Sequence, residues 1–98
     1  MSNIQVRRDF PGRTAKECYN ACIEALHEAN FKIFKQRDYA WFVIASQTID
    51  DKEFSCNIFA STGTSALVEL HMSASDLSTT QLDSQASKLL GLIQKRLD

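Results

Sequence analysis

The stretch Phe31–Thr48, FKIFKQRDYAWFVIASQT, decides how the rest of the chain is read. Two runs rich in aromatic and β-branched residues, 31–37 and 40–48, flank Asp38-Tyr39, so the segment reads as two strands joined by a tight turn. A two-residue loop at Asp38-Tyr39 pairs Arg37 with Ala40, Gln36 with Trp41 and Phe34 with Val43. Cross-strand partners share a face. Lys32, Phe34, Gln36, Trp41, Val43 and Ala45 are therefore expected together on one face, with Phe31, Ile33, Phe42 and Ile44 on the other. The second run is apolar at consecutive positions, which implies cover on both of its faces. A one-residue slip would exchange the two sets.

Working outward, residues 3–8 (NIQVRR) alternate and predict a first strand, which Pro11-Gly12 ends. Thr14 to Asn30 predicts a helix. Thr14 and Glu17 form a capping box, and Ala15, Cys18, Tyr19, Cys22, Leu26 and Ala29 make one apolar stripe. Residues 53–61 alternate with Phe54, Cys56, Ile58 and Ala60 on one face. Residues 65–73 do the same with Ala66, Val68, Leu70 and Met72. A second capping box, Ser78 with Gln81, opens a helix whose stripe is Leu82, Ala86, Leu89, Leu90, Ile93 and Leu97. The order β-α-β-β-β-β-α predicts an α+β two-layer sandwich over residues 1–98 as a single domain. Five antiparallel strands form the sheet. Each helix has one apolar stripe, so both helices are expected on one face of the sheet, leaving the other open.

The chain has 98 residues, 44% of them hydrophobic, enough for one buried core. Its formal net charge of -1 argues against a dedicated nucleic-acid binder, whose affinity comes from a basic footprint. No apolar run is long enough to span a membrane, and MSNIQVRRDF has no apolar export segment. A cytoplasmic location and reduced cysteines are the expectation.

The open face carries the functional expectation. Phe34, Trp41, Val43, Phe59 and Leu67 are expected there beside His71 and Arg7, more apolar surface than a monomer usually shows to water. These residues form the candidate binding surface, for a second copy of the chain or another protein. The alternative is a carrier that holds a small apolar ligand between sheet and helices.

Nothing in the chain assembles a catalytic or metal motif, and no cofactor is expected. Cys18 and Cys22 are four apart on the apolar stripe, where free cysteine behaves as a small hydrophobe. Cys56 faces the same core, and no histidine joins the three thiols as the fourth ligand that a structural zinc site needs. His71 with Glu69 forms a pair able to move protons, but no nucleophile accompanies it. His27 belongs to the polar helix face, and Asp50-Asp51 reads as a turn. Gly12, Gly63 and Gly91 are scattered and make no phosphate loop.

The phrases AKECYNACIEALHEANFKI and ASKLLGLIQKRL resemble a pattern in small bacterial β-α-β4-α domains, some of them lipoproteins. There a helix leads into a strand and the chain ends in a Leu-rich helix. The order of elements also resembles the half-repeat of the TATA-binding-protein-like fold. The resemblance implies two helices over one face of a curved five-stranded sheet. It carries no catalytic motif, and without the internal duplication and basic surface of a TATA-binding protein it does not imply DNA binding.

Overall fold

The computed structural model describes residues 1–98. Its elements run in the order β1 (Ser2–Phe10), α1 (Ala15–Glu28), β2 (Lys32–Arg37), a turn of 3-10 helix (Asp38–Ala40), β3 (Phe42–Ile49), β4 (Lys52–Thr62), β5 (Ala66–Ala74) and α2 (Thr79–Leu97). The strands form one sheet of order β1-β5-β4-β3-β2, every neighbour antiparallel. Strands β2 to β5 are successive hairpins. Helix α1 carries the chain from one sheet edge to the other.

Both capping boxes form. The Thr14 hydroxyl accepts from the Glu17 amide at 3.1 Å, and the Thr14 amide donates to the Glu17 carboxylate at 3.0 Å. Ser78 and Gln81 repeat the exchange at 3.1 and 2.8 Å. Each box satisfies amide groups that the first helical turn leaves without partners.

The expected stripe of α1 is buried from Ala15 to Leu26, as is the whole stripe of α2. Ala21 and Ala25 are buried too. Arg96 of α2 reaches both Glu24 and Glu28 of α1, at 2.9 and 3.1 Å. On the sheet, β4 and β5 present the eight inward residues that their alternation predicts. One cluster of 27 buried hydrophobic residues fills the space between helices and sheet.

The β2–β3 hairpin departs from expectation. Strand β3 starts at Phe42, and Arg37 pairs with Phe42, so four residues close the loop in place of two. Within β2 the register shifts between Ile33 and Lys35, and Phe34 sits at that irregularity, 59% exposed. An extra residue in one strand inverts the phase of alternation beyond it. Ile33 faces inward opposite Ala45, as expected on its side, yet Gln36 also faces inward, opposite Val43. Val43 and Ala45 are consequently core residues with no exposed surface, while Phe42 and Ile44 lie on the open face. The expected placement of Val43 on the open face is therefore corrected. Trp41 belongs to neither face of a strand. It ends the 3-10 turn in the left-handed conformation, φ 49° and ψ 50°. Its side chain is partly buried against the core.

Candidate functional site

With both helices on one side, the pairing registers set out the open face in rows that cross the sheet. One row is Arg37, Phe42, Phe59, Glu69 and Arg7, from β2 to β1. The next is Lys35, Ile44, Asn57, His71 and Gln5. A third is Lys32, Ser46, Ser55, Ser73 and Asn3. Leu67 lies between Ser61 and Asp9 at the far end.

The first row is the chemical centre of this face. The rings of Phe42 and Phe59 stack at 4.4 Å between centroids and 23° between planes. His71 meets Phe59 edge-on at 5.9 Å. Phe59 is 39% exposed in spite of these contacts. Beside the aromatic ridge, the Glu69 carboxylate takes Arg7 on one oxygen at 2.6 Å and lies 3.6 Å from His71 on the other. At the opposite edge, Lys32, Lys35 and Arg37 add three positive charges, and the Lys32 ammonium lies 5.3 Å from the Phe34 ring centre. The third row is polar: Ser55 and Ser73 share a hydrogen bond at 2.8 Å.

Of the residues singled out in the sequence, Phe59, Leu67, His71 and Arg7 come together on this face. Phe34 reaches its edge, Val43 is in the core, and Trp41 lies on the helix side. Phe42 and Ile44 are the residues that sequence reasoning missed. Their own strand carries no signal for them, because it is apolar at consecutive positions, and the turn into β4 decides their side. Asp50 and Asp51 both have positive φ, 50° and 64°, as the two-residue turn that suits right-twisted hairpins requires. Counting back through that turn from the alternating strand β4 pairs Val43 with Ile58, and so places Val43 inward.

A second concave feature lies on the helix side. A cleft of about 310 Å³ runs between α1 and the β2–β3 turn, lined by Lys16, Tyr19, Ile23, Gln36, Asp38 and Trp41 among others. The Tyr19 hydroxyl donates to Asp38 Oδ1 at 2.8 Å, and Gln36 Nε2 donates to the same oxygen at 3.0 Å. These two bonds, Tyr19 first, hold the Asp38 carboxyl below its ordinary range. Burial, and then the bond to Asp38, pushes the Tyr19 phenol up.

The thiols are chemically quiet. Cys18, Cys22 and Cys56 are free and fully buried. Burial pushes Cys56 up to about 12 and raises Cys22 and Cys18 as well. The thiolate is the nucleophile, and these sites suppress it. No three His, Cys, Asp or Glu side chains converge as a metal site would need. No helix is long and apolar enough to cross a membrane. No protein-family model matches the chain, and no curated protein matches it either.

Proposed function

We propose that this chain is a non-enzymatic binding module that pairs with a second copy of itself through the open sheet face. The observation that carries this reading is the Phe42–Phe59 ridge, flanked by Ile44 and Leu67, on a face that no helix covers. Such a ridge costs free energy in water and gains it against another apolar surface.

The size of the face supports a copy of the chain as the occupant. Strands β1 and β5 have nine residues each. At about 3.3 Å per residue and about 4.8 Å per strand, the sheet offers roughly 30 by 24 Å, or about 700 Å². A stable pair buries about 800 Å² on each partner. Two such faces stack as aligned sheets do, about 10 Å apart, with their side chains interleaved. The suppressed thiols and the engagement of Glu69 by Arg7 support a binding role over a catalytic one.

The test is the solution mass at a series of concentrations, by light scattering, for the wild type, Phe59→Ala and Trp41→Ala. A Phe side chain carries about 200 Å². The 39% of Phe59 that is exposed is then roughly 80 Å² per copy, or about 4 kcal/mol for two copies at 25 cal/mol per Å². That predicts a dissociation constant weaker by about a thousandfold in Phe59→Ala. Trp41→Ala, on the other side of the sheet, leaves the dimer intact. A wild-type monomer at every concentration, or a dimer indifferent to Phe59→Ala, overturns the proposal.

A further inference from the structure

The cleft between α1 and the β2–β3 turn has features that neither the core nor the open face explains. Trp41 is the chain's single tryptophan and adopts a left-handed backbone that bulky residues rarely take. Strain of this kind persists only where the surroundings impose it, and it clusters at functional sites. Here it places the indole in the wall of the cleft, with Tyr19 also in the lining.

The second feature is Asp38. Two neutral donors, Tyr19 and Gln36, both bond its Oδ1 and fix the carboxylate in the cleft. Its Oδ2 receives no hydrogen bond from the protein, and no basic side chain pairs with it. The other charged groups lining the cleft are Lys16, which makes no ion pair with Asp38, and Glu24, which is bound to Arg96. A fixed carboxylate without a cation, beside the partly exposed Trp41 side chain, matches what organic cations bind. Aromatic rings attract such cations through their quadrupoles, and the carboxylate supplies the counter-charge. The volume, about 310 Å³, suits a small ligand.

We propose that this cleft binds a small organic ammonium ion, with Asp38 as its counter-charge, held in place by the Tyr19 hydroxyl, and Trp41 as its aromatic wall. The site is independent of the open-face reading, because it lies on the opposite side of the sheet.

Trp41 reports on its own site. Its emission is followed while choline chloride is added, with sodium chloride at equal ionic strength as the blank. The neutral carbon isostere 3,3-dimethylbutanol is titrated in parallel. A saturable change is expected with choline, at or below about 10 mM, with binding at least about tenfold weaker for the isostere. Asp38→Asn, at an exposed turn position, is expected to weaken choline by a similar factor while leaving far-ultraviolet circular dichroism unchanged. Lys16→Ala removes a like charge from the rim and is expected to tighten choline. An acetylated peptide carrying one trimethyllysine separates sources: tighter binding than choline assigns the ammonium to a protein partner, and weaker binding assigns it to a free compound. Equal binding of choline and its isostere, no saturable change with choline or the peptide, or an Asp38→Asn variant that binds as well as wild type overturns the assignment. The isostere comparison needs no variant, so a folding failure in Asp38→Asn leaves the test standing.

Discussion

Replacing Val43 or Ile44 by aspartate tests the phase of β3, on which the composition of the open face rests. Val43 has no exposed surface and sits opposite Ile58 and Gln36. Ile44, its neighbour, is half-buried on the open face opposite Asn57 and Lys35. Aspartate is poorly suited to any strand, and that penalty is common to both variants. At position 43 the variant also loses a fully buried Val side chain, about 1.5–3 kcal/mol. It further buries a carboxyl group among apolar neighbours, at about 1–3 kcal/mol even when the group stays protonated. At position 44 the carboxylate remains in water, and Lys35 opposite returns a few tenths of a kcal/mol. The gap between the two is therefore about 3 kcal/mol or more, a large share of the 5–15 kcal/mol that holds a domain together. For a chain of this length that is a Tm difference of about 12–24 °C. Thermal unfolding followed by circular dichroism measures it, at protein concentrations low enough that association does not contribute. An Ile44→Asp variant less stable than Val43→Asp would refute the inverted phase, and with it the assignment of Phe42 and Ile44 to the open face.

Two further outcomes follow from the core. Phe54 is 1% exposed and meets Phe31 edge-to-face at 5.7 Å. Phe54→Ala should cost about 3–5 kcal/mol in urea unfolding, and the double variant with Phe31→Ala should show a coupling of about 0.5–1.5 kcal/mol. Absence of coupling would contradict the ring contact. The buried thiols predict alkaline instability. Cys56 is raised from 9.0 to about 12, so between those pH values the unfolded chain releases a proton that the folded chain keeps. Its contribution is complete below pH 9.0 and is lost as the pH rises toward 12. The loss is about 1.4 kcal/mol per pH unit, with Cys22 adding in the same direction. Urea midpoints for the wild type and Cys56→Ala across this range measure it. An equal slope in both proteins would show that Cys56 is not the source.

Much of this architecture is written in local sequence. The alternation of Phe54, Cys56, Ile58 and Ala60, and of Ala66, Val68, Leu70 and Met72, states which face is buried without reference to any other strand. The two capping boxes and the two apolar stripes do the same for the helices, because their signals lie within a few residues. These features determine an α+β sandwich with one uncovered sheet face. They also place Phe59, Leu67 and His71 on that face.

Tertiary structure alone decided the rest. From Phe42 to Ala45 every residue is apolar, so β3 carries no alternation to reveal its phase. The phase comes from pairing with β4, and the irregularity at Phe34 uncouples it from β2. The cleft is equally hidden in the sequence. Tyr19 reads as one more member of a core stripe and Asp38 as a turn residue, and they meet only because α1 crosses the sheet and packs beside the β2–β3 turn. Period and caps are properties of neighbouring residues. Phase between strands, and contact across 19 positions, are properties of how the elements pack.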